Sequence, residues 1–162
     1  MNQIVSEEMC QQIKLSSAEL YMAHPAALDP KILQACVKLN RLPGIAVRWS
    51  CEGHYPIQGD NRSVEIVVIV TQKGMEILES LYNLLKSRIT SDPLLHRCDL
   101  GLLVHDLLMF EMDYAWHPNW RLAYTLPRVE VEEIDLYFAI QEAYIGYLEA
   151  AIDSVAHALE GV

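Results

Sequence analysis

The residues best suited to chemistry stand together in Ser50-Cys51-Glu52-Gly53-His54, where an alternating apolar segment gives way to a stretch of turn formers. A nucleophilic Cys51 would need its thiolate favoured by His54 or by a helix N-terminus, and a third group to orient the imidazole. Glu52 is adjacent but should point away, and no pair of glycines suited to an oxyanion hole is visible. As metal ligands, Cys51 and His54 have a workable spacing and His96-Arg97-Cys98 could add two more donors, although those flank an apparent strand start rather than a tight turn. In a third reading the segment is structural: Ser50 and Cys51 are buried at a strand end, Gly53 makes the turn, and His54 caps it through a hydrogen bond. The structural reading leads, so neither a metal nor a cofactor is expected. Elsewhere, His105-Asp106 could orient a proton transfer or simply mark a polar kink, and Glu111 and Asp113 could pair as carboxylates or form the wet side of a sheet.

The elements that must position these groups can be read from periodicity. Residues 4–15 suggest a short helix with Ile4, Val5, Met9 and Ile13 on one side. Asp29-Pro30 reads as a cap followed by a first helical position, opening a helix that runs to about Leu39. Leu42-Pro43-Gly44 ends it, and Ile45 to Ser50 then alternates, with Ile45, Val47 and Trp49 on one face. Residues 51–63 form a loop. The segment Val64–Thr71 is apolar on both faces apart from Glu65, as in a central strand covered on each side or a strand covered by helix on one face and by a partner chain on the other. Met75, Leu78, Leu81, Tyr82, Leu85 and Ile89 recur at three and four, which predicts an amphipathic helix over 75–90.

Between Leu100 and Leu126 the period returns to two, with Leu108, Phe110, Met112, Tyr114 and Trp116 on one face, and a hairpin follows. Pairing Tyr114 with Tyr124 and Trp116 with Leu122 leaves Pro118, Asn119 and Trp120 as its loop, so Trp120 should sit near the tip, either folded back over the sheet edge or exposed as an anchor for a partner. Ile134, Phe138, Gln141, Ile145, Leu148, Ile152, Val155 and Leu159 keep a four-three spacing beside a second stripe of Tyr137, Ile140, Tyr144, Tyr147 and Ala151. Glu130, Glu132, Glu133 and Asp135 crowd the start, where the helix dipole favours negative charge. A long helix over 132–160 is predicted; either its overhanging, tyrosine-rich part serves dimerisation or the whole helix lies across its own sheet.

The chain has 162 residues, 52% of them hydrophobic and 21% charged, enough for one domain with a substantial core and too apolar for disorder. With 12 Lys+Arg against 22 Asp+Glu its net charge is −10, which disfavours direct binding of nucleic acid and suits a partner with a basic surface. The four cysteines show no close pairing, no signal segment is evident, and no uncharged run approaches a bilayer span of about 20 residues. A cytoplasmic location without membrane contact is expected.

The stretch Asp29-Pro30, Ile32-Leu33, Leu39-Asn40, Pro43-Gly44-Ile45 and Trp49-Ser50-Cys51-Glu52-Gly53-His54 resembles a group of small uncharacterised proteins of phages and bacterial mobile elements that share a Ser-Cys-x-Gly-His signature. More distantly it is similar to the N-terminal region of the wybutosine-synthesis tRNA methyltransferases, where Arg follows the glycine that precedes His54 here. The likeness covers about a quarter of the chain. It implies an α+β fold and a mobile-element origin, hence a host-cytoplasm setting.

These readings combine into a single α+β domain over 1–162, with an antiparallel or mixed sheet of 4–5 strands, helices packed on one face, and the long C-terminal helix used in a homodimer. The leading function is a non-enzymatic accessory factor that binds a host protein, an anti-defence inhibitor such as an anti-CRISPR among the options. Glu111, Asp113 and Trp120 are its candidate binding residues. The competing function is an enzyme or ligand binder centred on Cys51 and His54, with an RNA or nucleotide-derived substrate.

Overall fold

The computed structural model describes residues 4–55, 62–96, 98–105 and 119–161. Its elements are α1 (Glu7–Ala23), a 3-10 turn (Pro25–Ala27), α2 (Leu33–Asn40), β1 (Ile45–Glu52), β2 (Ser63–Val70), α3 (Gln72–Thr90), β3 (Leu100–His105), β4 (Asn119–Thr125), a second 3-10 turn (Val131–Glu133) and α4 (Ile134–Glu160). The four strands form an antiparallel sheet in the order β1-β2-β4-β3. The fold is α+β, with the long C-terminal helix in place.

β2 is the central strand its sequence announces. Val64, Ile66, Val68 and Val70 enter the main core with α2, α3 and α4, whereas Ile69 meets Ala46 and Cys10 on the other face, under Val5, Met9 and Ile13. Helices therefore cover both faces of the sheet rather than one. α1 is the exception to the one-sided arrangement, and it runs to Ala23, beyond the expected end near residue 15. Ser6 caps its start by accepting from the Met9 amide, with Glu7 and Glu8 in the first turn, where negative charge is favoured.

β1 lies at the sheet edge, and an edge with unpaired amides invites further pairing. Here the outward-facing backbone groups of Val47 are taken up locally. Its N–H donates to Asn40 Oδ1 at 3.0 Å, and its carbonyl accepts from the Ser17 hydroxyl. Asn40 is buried and its amide nitrogen donates to the Lys14 carbonyl, while the Lys14 ammonium donates to the carbonyls of Asn40 and Leu42. A β-bulge between Val47 and Trp49 shifts the register, so Trp49 pairs with Val67 and leaves the face shared by Ile45 and Val47. The expected alignment of those three side chains stops at the bulge.

Among the described residues β4 pairs with β3 along one edge, and the segment 108–116, expected as its hairpin partner, lies outside the described residues. Leu100 pairs with Tyr124, Leu102 with Leu122, and His105 with Asn119, while the other edge of β4 is taken by β2. Trp120 is the second residue of β4, in register with Val68 and Val104, rather than a loop tip, while Tyr114 and Trp116 lie outside the described residues. Alternation alone could not tell which of two apolar segments pairs with β4. Glu111, Asp113 and Asp106 lie outside the described residues.

α4 lies along its own domain. Tyr137, Ile140, Tyr144 and Ala151 are buried, the Tyr144 ring stacks on Tyr124 at 4.2 Å, and the Tyr147 hydroxyl donates to Asp92. The tyrosine stripe expected to overhang toward a second copy is used within the chain, each buried ring contributing roughly 1.5–3 kcal/mol. Lys38 of α2 ties to Asp153 and Glu149 on the helix's flank.

Two glycines lock the start of α3 to the turn before β1. Gly44 adopts φ +71°, its carbonyl accepts from the Thr71 amide at 2.9 Å, and the Thr71 side chain caps α3. A β-carbon on Gly74 would run into the Gly44 carbonyl, with backbone on both sides and no room to yield. Gly74→Ala is expected to cost about 1–3 kcal/mol, read as a lowered urea midpoint at unchanged slope. Asn40→Ala strands the Val47 amide and should cost a similar 1–3 kcal/mol by the same measurement.

Candidate functional site

The polar corner around Cys51 is built by three segments that the sequence separates widely. Cys51 and Glu52 close β1, Gly53 turns the chain at φ +77°, and His54 follows. Gly53 also has no room for a side chain, because a β-carbon there would press on Leu126 and Val64. Asp29 arrives from the segment before α2. Its carboxylate does not cap that helix, which begins at Leu33 with no side-chain cap; instead Asp29 Oδ2 accepts the Glu52 amide at 3.0 Å and lies 3.3 Å from His54 Nε2. Glu52 returns the contact by accepting the Lys31 amide at 2.9 Å. The expected cap has become a strap across the end of β1.

The third segment is α4. Gln141, only 1% exposed, donates from Nε2 to the carbonyls of both Glu52 and Gly53 at 2.6 and 2.8 Å, and its Oε1 accepts from the Lys31 ammonium at 2.8 Å. Lys31 also lies over the Phe138 ring. Tyr55 packs edge-on against Tyr137 and donates to the Val129 carbonyl. The outcome is that Asp29, Cys51 and His54 present one donor atom each, all within 4.8 Å of one another.

The electrostatics of the corner oppose a thiolate. Burial pushes the Cys51 thiol up, and the neighbouring carboxylates of Asp29, Glu65 and Glu52 push the same way against a single Gly53 amide that donates to the sulfur. A nucleophilic cysteine needs the reverse, a cationic surrounding that lowers its pKa. Asp29 and Glu52 would also repel the phosphates of an RNA or nucleotide. The corner can bind and orient a cation or hydrogen-bond donors; covalent attack by Cys51 has no electrostatic support.

His96 and Cys98, the other two possible donors, do not join it. His96 Nδ1 contacts the Pro93 carbonyl in the turn after α3, and Cys98 follows that turn beside Tyr124. Asp29 is the donor that sequence reading missed, although Asp29-Pro30 stood out as a signal of another kind. Trp120 is half-buried against the core, so it is not an exposed anchor. Apart from the corner, a groove of about 360 Å³ runs between α3 and α4, lined by Lys73, Glu76, Ile77, Ser80, Val155, Ala158 and Leu159.

A different surface does carry the features of a contact site. Glu130, Val131, Glu132, Glu133, Asp135 and Leu136 are all exposed, the two apolar side chains at 58% and 42%. These acids complement the helix dipole, as their position suggested, but they also stand in solvent with Val131 and Leu136 among them. No helix among the described residues is long and apolar enough to cross a membrane.

Comparisons with protein-family models, with curated proteins and with solved structures find no match to this chain.

All four cysteines are thiols; Cys10, Cys36 and Cys51 are buried and Cys98 is partly exposed. In the native protein one thiol should react rapidly with a thiol reagent at mildly alkaline pH, lost in Cys98→Ser, while the other three appear only on unfolding. The Cys36 thiol is pushed up from 9.0 to about 11, chiefly by burial, so its folded-state pKa exceeds the unfolded one. Its contribution to stability is intact below 9.0 and fades as pH rises toward about 11, and urea unfolding across that window should show less alkaline loss in Cys36→Ala than in the parent. Gln141→Leu leaves the Glu52 and Gly53 carbonyls without their donor and should lower stability by about 1–3 kcal/mol.

Proposed function

We propose that this protein is a non-enzymatic accessory factor that works by occupying a basic surface of a partner protein, of the kind presented by a host defence or nucleic-acid-handling complex. One observation carries the reading: the exposed run from Glu130 to Leu136 sets four carboxylates around two solvent-facing apolar side chains at the start of α4. Charge of this density steers encounter with a positive surface, and Val131 and Leu136 offer apolar area to bury once contact is made. The net charge of −10 acts in the same direction and opposes direct contact with nucleic acid. This surface takes the place of Glu111, Asp113 and Trp120 as the primary binding candidate. The raised thiol of Cys51 supports a role without covalent catalysis.

The test compares capture from a host lysate by the parent, by the triple variant Glu132→Lys/Glu133→Lys/Asp135→Lys and by Cys51→Ser. The expected result is one basic-faced protein retained by the parent and by Cys51→Ser, and lost by the triple variant. With that partner purified, its association rate should fall about tenfold or more in the triple variant at low salt, and the parent's rate should fall steeply as salt is added. Retention of the partner by a folded triple variant would overturn the reading.

A further inference from the structure

We propose that Asp29, Cys51 and His54 form a binding site for a single transition-metal dication, zinc by preference. The three donors are a thiol, an imidazole and a carboxylate, the set that zinc accepts, and three protein ligands with a remaining position for water or an exogenous donor is the number it keeps in open sites. They come from a rigid frame. Asp29 is held by the Glu52 amide, the chain between Cys51 and His54 is bent at Gly53, and the Glu52 and Gly53 carbonyls are clamped by Gln141.

The spacing is close to what coordination needs. A tetrahedral zinc with ligands about 2.0–2.3 Å away places its donor atoms about 3.5 Å apart. His54 Nε2 and Asp29 Oδ2 already stand at 3.3 Å, and all three donors fall within 4.8 Å of each other. A contraction of about 1 Å around an ion is within reach of a half-exposed imidazole, and the His54 side chain is 60% exposed.

The surroundings favour a cation over any other occupant. Asp29 and Glu52 carry negative charge at the corner, and Glu65 lies close enough to act on the same thiol. On binding, the Cys51 S–H bond breaks, its proton leaves to solvent, and the sulfur lone pair enters the metal–sulfur bond, with no change in oxidation state.

The site is separate from the Glu130–Leu136 surface, and its test does not depend on a partner. Chelator-stripped full-length protein is titrated with cobalt(II), and the near-ultraviolet thiolate-to-cobalt charge-transfer band is followed, then displaced with zinc(II). One equivalent of cobalt should raise the band and zinc should abolish it. Cys51→Ser should lose the band, and His54→Ala, a change at an exposed side chain that leaves the core alone, should weaken binding by at least about tenfold. The triple variant of the acidic surface should bind as the parent does. Absence of the band in the parent, or an unchanged affinity in His54→Ala, would overturn the proposal.

Discussion

Gln141 is the contact on which the functional end of this molecule depends. A single buried amide on α4 satisfies two adjacent carbonyls at the end of β1 and receives the ammonium of Lys31 from the segment before α2. Three pieces of chain, separated by about ninety residues or more on one side, are thereby held in one arrangement. A buried polar group with all its partners is specific in a way that apolar packing is not, because displacement leaves several groups unsatisfied at once. The corner at Asp29, Cys51 and His54 is braced by this tie through the Glu52 and Gly53 carbonyls.

The same logic runs through the rest of the fold. β1 could have been a bare edge, yet Asn40 and Ser17 take the N–H and carbonyl of Val47, and Lys14 closes the bracket from α1. Gly44 and Gly74 let two backbones touch where β1 and α3 begin. Beneath these, the apolar core is ordinary: β2 against α2, α3 and α4, with Tyr124 stacked on Tyr144. Polar ties decide the geometry while apolar burial supplies the stability.

An acidic exterior and a carboxylate-rich corner share the same sign of charge in two different settings. The Glu130–Leu136 run faces solvent and suits a basic protein surface, while Asp29 and its neighbours enclose a space fit for an ion. Neither arrangement favours an exposed thiolate or a phosphate. The reactive-looking residues of the Ser50–His54 segment take their electrostatic character from their neighbours.

Periodicity sufficed for the elements whose burial is one-sided or complete. The spacing of Met75 to Ile89 gave α3, the unbroken apolar run gave β2 as a central strand, and the double stripe of α4 gave its length to within a few residues, since each pattern records how much of a segment is buried. Gly53 as a turn was equally legible, because few residues adopt its backbone conformation. What only the tertiary structure decided is which elements meet. β4 paired with β3 and β2, Tyr137 and Tyr144 of α4 faced inward, the bulge moved Trp49, and Asp29 became a strap on β1 instead of a cap on α2. Pairing and side-chain convergence depend on contacts between residues far apart along the chain, and local spacing carries no information about those.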